Sequence, residues 1–192
     1  MKKKIRDYIL ASIAVKEKIL SDETLIEAVH TAVSMIIDCY KRGNKLLAAG
    51  NGGSAADAQH LAAELVARFL FDRPALPALS LTSNTSILTA VGNDYGFEDL
   101  FARQIEANAV KGDIFFGIST SGNSLNILKA AAACKEKGVV MIGLTGSKPC
   151  KMDELCGHMI KVPSDFTPHI QEAHLMIIHL LCALTEEQLF RR

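Results

Sequence analysis

The stretch Asp113-Ile114-Phe115-Phe116-Gly117-Ile118-Ser119-Thr120-Ser121-Gly122-Asn123-Ser124 carries the reading from which the fold follows. Residues 113–118 are apolar, 119–124 form a hydroxyl-rich turn, and 125–137 have the composition of a helix. A strand runs into a turn that opens a helix. Backbone N–H groups, three serine hydroxyls and one threonine hydroxyl then surround a helix N-terminus. Such a turn suits a dianion without a metal, because the orphan amides and the helix dipole both favour negative charge. It has neither the lysine and spacing of a nucleotide P-loop nor a Gly-x-Gly-x-x-Gly pattern. A phosphate on something smaller than a nucleotide is the natural ligand, and a plain Ser- and Asn-rich helix cap is the alternative.

Outward from this turn the same unit repeats. Strand patterns are predicted over 45–50, 75–82, 114–119, 139–145 and 159–162. Helical stretches separate them, one from Gly53 to about 69 and a long closing one over 170–190. A helical or irregular stretch carries Val91-Gly92-Asn93-Asp94. Short apolar runs between helices argue for an α/β sandwich of three layers, a five-stranded parallel sheet covered on both faces. Two helices lead, one with Ile5, Tyr8, Ile9 and Ile13 on one side, the other with Leu25, Val29, Val33, Ile36, Ile37 and Tyr40. Ser21 and Asp22 supply cap chemistry between them, and Gly43 ends the second. The turn Gly50-Asn51-Gly52-Gly53-Ser54 also follows a strand and precedes a helix. Both turns are therefore expected on one edge of the sheet, where ligands bind in such folds.

With 192 residues and no repeat or linker, the chain reads as one domain, 1–192. Twenty-one basic residues balance 21 acidic ones, so no net field recruits nucleic acid or membrane. Met1-Lys2-Lys3-Lys4 resembles the start of a signal peptide, but Arg6, Asp7, Lys16 and Glu17 interrupt the apolar stretch after it. Cys39, Cys134, Cys150, Cys156 and Cys182 contain no C-x-x-C pair, which points to free thiols in a reducing cytoplasm.

His60 and Glu64 stand four apart on the helix after Gly53, hence on one face. They read either as a metal or acid–base pair or as an ordinary surface pair. Gln171 and His179, eight apart on the last helix, can face one cavity but converge on one ion only through long side chains. His174 lies on another stripe and reads as structural, and Asn93-Asp94 reads as a turn or as a polyol-binding pair.

In this order the blocks Gly50–Ser54, His60-Leu61-Ala62-Ala63-Glu64, Val91–Asp94, Gly117–Ser124 and Ile170-Gln171-Glu172-Ala173-His174 with His179 resemble the phosphoheptose isomerases, single sugar-isomerase (SIS) domains of flavodoxin- or Rossmann-like architecture. The resemblance covers nearly the whole chain. It implies conversion of sedoheptulose 7-phosphate to D-glycero-D-manno-heptose 7-phosphate, the first step towards bacterial surface heptose and lipopolysaccharide. It also implies a cytoplasmic homotetramer with active sites between subunits, residues 1–42 serving assembly. Ser119, Thr120, Ser121 and Ser124 would hold phosphate, and Asn51, Gly52, Gly53, Asn93 and Asp94, with Glu64 and Gln171, would line the sugar site. His60, Glu64, Gln171 and His179 match a zinc site, while Glu64 and His179 also match the base and acid. A carboxylate that binds zinc tightly loses basicity, so these roles compete at Glu64. His169 stands where the family often has arginine.

Two other readings share the fold. A non-catalytic SIS regulator of the bacterial replication initiator lacks the catalytic pair, which this chain keeps. Other SIS isomerases, for arabinose 5-phosphate or amino sugars, usually differ in length, appended domains and the Gln-x-x-His block.

Overall fold

A computed structural model describes residues 1–191. Asp22 accepts from the Leu25 amide and so caps the start of α2 (Glu23–Lys41), separating it from α1 (Lys2–Leu20). Then come β1 (Leu46–Gly50), α3 (Gly53–Val66), β2 (Ala78–Ser80), α4 (Thr85–Asp94) and α5 (Ala102–Asn108). The chain continues through β3 (Ile114–Ile118), α6 (Leu125–Lys137), β4 (Val140–Thr145), β5 (His158–Lys161) and α7 (Thr167–Phe190). All strand pairs are parallel, in the order β2-β1-β3-β4-β5. That is the flavodoxin-like doubly wound order, whose direction of winding reverses between β1 and β3.

β1 and β3 are buried at every position, as expected for central strands covered on both faces. One core joins α1, α2, α3 and α7 to the sheet through residues such as Ile36, Leu61, Phe116 and Ile177. The other joins α5 and α6 to the opposite face through Ile105, Phe115 and Ile127. At the amino ends of β1 and β3, the fully buried Asp113 accepts from Lys45 Nζ (2.6 Å), the amides of Lys45 and Val110, and Asn44. Burial alone would raise its pKa; these donors outweigh burial and hold the carboxyl below its usual range.

The five strands lie where the sequence places them, four with shorter ends and β5 shifted by one residue, 158–161 rather than 159–162. β2 spans 78–80 rather than 75–82; Pro77, which supplies no N–H to a ladder, stands just before its start. Helix α3 stops at Val66 rather than about 69, where an arginine takes over its last carbonyls. Helix α7 starts at Thr167 with Pro168 in its first turn, a position where a missing N–H costs nothing. The leading helices differ in burial. Leu25, Val29, Val33, Ile36 and Ile37 of α2 are buried, whereas Ile5, Tyr8, Ile9 and Ile13 of α1 are 44–54% exposed.

His174 of α7 is wholly buried, and neither ring nitrogen has a hydrogen-bond partner of normal geometry. Burial pushes its pKa down from 6.5 to about 4; the backbone at Thr145 offsets this only in part. A histidine neutral in the fold but protonated in the unfolded chain withdraws stability as pH falls below 6.5, until the folded form protonates near 4. The urea midpoint is expected to fall across that window, and less so in His174→Leu. An equal fall in both proteins removes His174 as the source.

Candidate active site

Both glycine- and hydroxyl-rich turns leave the carboxyl ends of neighbouring strands, β1 and β3, at the switch point. Asn51 of the first turn and Asn126, in the first turn of α6, exchange two side-chain amide bonds of 2.9 and 2.8 Å. Asn126 is buried, and nothing in the sequence marks it except its place two residues past the serine run. The pair clamps the two turns together. Asn126→Ala leaves the Asn51 amide unpartnered, and a loss of about 1–3 kcal/mol in unfolding free energy is expected. A denaturant curve unchanged within about 0.5 kcal/mol contradicts the clamp.

Within the serine turn the four predicted hydroxyls divide. Ser119 is buried; its Oγ lies 2.9 Å from Ser124 Oγ and accepts from the Gly122 amide at 3.1 Å. Thr120 and Ser121 instead line an open cavity of about 220 Å³ with Asn123, Ser147, Lys148, Asp165 and Thr167. Gly122 has φ +64°, and a Cβ there would strike Cys150, so only glycine closes this turn. Turn and cavity are held from below. Gly146 N–H donates to the Thr120 carbonyl, Met152 N–H to the Gly122 carbonyl and Lys151 N–H to Asn123 Oδ1.

On the other side of the turns, α3 and α7 run alongside one another in the same direction. Gly53 meets Gln171 near their starts; a Cβ on Gly53 would lie 2.5 Å from Gln171 Nε2. Seven residues further along α3, His60 Nε2 lies 3.0 Å from His179 Nε2 and 3.3 Å from Glu64 Oε1. Glu64 is thus within reach of the same imidazole, and the ring of His179 stacks on Phe69. Among the described residues no group of three or more His, Cys, Asp or Glu is placed so that it could hold a metal ion, and Gln171 packs on Gly53 near the start of α7. What exists is two pairs sharing His60 Nε2. Their donor chemistry fits zinc, whose tetrahedral nitrogen and oxygen ligands at about 2.0–2.1 Å stand about 3.3 Å apart.

Asp57, one turn before His60, is buried and its Oδ2 has no partner. Burial raises its pKa to about 6, with His60 pulling the other way. The only sequence signal was an acid inside the run Ser54-Ala55-Ala56-Asp57-Ala58. Asn93 and Asp94 end α4, exposed and bonded to each other at 2.8 Å, and neither lines the serine-turn cavity. His169 is buried between Tyr8 and Phe166, with Nε2 unpartnered. His158 Nε2 donates to the Ala28 carbonyl at 2.6 Å as a structural contact, and His30 is exposed beside Glu27.

The family profile described as the SIS domain matches residues 7–146. The phosphoheptose isomerase of Aneurinibacillus thermoaerophilus is 59% identical over 187 residues, 97% of this chain and 94% of that one. Phosphoheptose isomerase 2 of Campylobacter jejuni is 59% identical over 186 residues, 97% and 92% of the two chains. The structure of a phosphoheptose isomerase from Francisella tularensis superposes with TM-score 0.92 at 36% identity, covering 96% of this chain and 97% of the other. That from Neisseria gonorrhoeae gives 0.91 at 38% identity, covering 97% and 98%.

Proposed function

Because the chain belongs to the phosphoheptose isomerases of the SIS-domain family, and is an aldose–ketose isomerase of a heptose phosphate, we propose how its residues divide that reaction. The substrate is sedoheptulose 7-phosphate and the product D-glycero-D-manno-heptose 7-phosphate. The observation that supports this reading is a hydroxyl-rich turn over a cavity, with His60, Glu64 and His179 close together on the helices beside the same switch point. Thr120 and Ser121 face the phosphate, while Ser119 and Ser124 brace the turn that presents them. Asn51, Gly52, Gly53 and Gln171 form the wall towards the sugar, and Asn93 and Asp94 close it through the assembly.

Glu64 takes a C1 proton of the ketose, exchanges it in part with solvent, and delivers a proton to C2 of the enediol. His179 moves a proton between O2 and O1, so the reaction ends with no net gain or loss of protons. A carboxylate and an imidazole are the side chains suited to these transfers near neutral pH. Zinc, held by His60, Glu64, His179 and Gln171, would polarise the carbonyl or order the cluster. Retained full turnover after chelation, in protein shown by elemental analysis to have lost zinc, removes the metal from the reaction.

We place the enzyme in the cytoplasm, at the head of surface-heptose synthesis. No helix among the described residues is long and apolar enough to cross a membrane. The working unit is a homotetramer. Supporting this are the apolar side of α1 and a groove of about 430 Å³ lined by Ile19, Leu25, Ile26, Val29, Leu180 and Leu184, among others. Light scattering that returns a monomer mass overturns the tetramer. The decisive assay is purified protein with sedoheptulose 7-phosphate, following the aldose by NMR. Phosphate-sugar binding with no turnover would return the chain to the regulator reading.

A further inference from the structure

Lys148 is the one cation and Asp165 the one carboxylate among the described residues lining the cavity above the serine turn. They come from different walls, Lys148 from the loop after β4 and Asp165 from the loop after β5. Lys148 Nζ and Asp165 Oδ2 stand 3.5 Å apart with side chains 73% and 66% exposed. The walls themselves are fixed. The amide and the hydroxyl of Ser147 both donate to the Ser164 carbonyl, at 3.0 and 3.1 Å. The ion pair is therefore a loose bridge between two anchored loops, over a cavity whose other polar groups are neutral hydroxyls and amides.

An exposed pair of this kind adds little to stability, so Lys148 exchanges one anionic partner for another at little cost. A phosphate dianion seated against Thr120 and Ser121 brings twice the charge of a carboxylate into reach of Lys148. From Asp165 the same dianion receives only repulsion. We infer that Lys148 is a substrate-binding residue that leaves Asp165 to contact the phosphate of the bound sugar, with Asp165 as the competing anion that takes Lys148 back on release. This rests on the serine turn being the phosphate end of the isomerase site.

The pair gives opposite signs, which a merely structural bridge would not. Inorganic phosphate is titrated calorimetrically into the full protein, its Lys148→Gln and Lys148→Arg variants, and Asp165→Asn. Lys148→Gln is expected to weaken phosphate by about five- to tenfold, and Lys148→Arg to recover most of it. Asp165→Asn is expected to tighten it by about two- to fivefold, and both effects shrink as salt shortens the screening length. In turnover of sedoheptulose 7-phosphate the changes fall on KM, as for groups that bind ground and transition states alike. Both substitutions shifting phosphate affinity in the same direction, or neither shifting it, overturns the inference. Phosphate binding with these opposite shifts but no turnover leaves the inference standing and sinks the isomerase reading instead.

Discussion

Glu64→Gln is expected to leave a folded protein that binds sugar phosphate but isomerises it at least about a hundredfold more slowly, the lower bound for loss of a positioned acid–base group. The amide keeps the shape of the carboxylate and its contact with His60, now 3.3 Å, but cannot accept a proton from carbon. His179→Gln should fall by a comparable factor, since it removes the proposed proton carrier and the 3.0 Å partner of His60 together. In the parent, solvent deuterium enters the sugar beside the carbonyl; in Glu64→Gln it should not. For two groups of one proposed proton circuit, the double variant is expected to be little worse than either single one. Turnover within about twofold of the parent in both single variants would remove the acid–base assignment, whatever the substrate.

The second large effect is on stability. Glu186, near the end of α7, is 1% exposed. Its carboxylate accepts from the amides of Phe69 (2.8 Å), Leu70 (2.8 Å) and Phe71 (3.0 Å) and from Arg73 Nε (3.1 Å). Burial would raise its pKa, yet those donors together hold it below the usual carboxylate range. Arg73 then donates to the carbonyls of Leu65 (2.7 Å) and Glu64 (2.8 Å), the orphan acceptors at the end of α3. Glu186→Ala strands three amides and a buried guanidinium, and a loss of about 3–5 kcal/mol is expected from denaturant unfolding. That is a large share of the about 5–15 kcal/mol a domain has. Replacing both Arg73 and Glu186 by Met should cost less than Glu186→Ala alone, because no charge is left buried and unpaired. A Glu186→Ala loss below about 1 kcal/mol would show that solvent replaces the network. The network also holds the backbone of Glu64, so its failure is expected to reach the active site.

The architecture was legible in the linear chain, because it depends on local pattern. Short apolar runs between amphipathic stretches specify a parallel sheet, and the composition of the turns after residues 50 and 118 marks a candidate anion site. The i,i+4 spacing of His60 and Glu64 puts them on one face in any helix. Partnerships across elements were not legible. The meeting of His60 with His179, 119 positions apart, depends on α3 and α7 lying side by side. The same holds for Asn51 with Asn126 and for Glu186 with the 69–71 amides. These residue types are common, and no local rule pairs them. Sequence also treated Ser119, Thr120, Ser121 and Ser124 as equals, whereas folding buries Ser119, ties the half-buried Ser124 to it at the edge of a second cavity beside Asn51 and Asn126, and leaves Thr120 and Ser121 to face the first. Side-chain chemistry and backbone period travel with the sequence; which groups are desolvated, and against what, is decided only when distant elements pack.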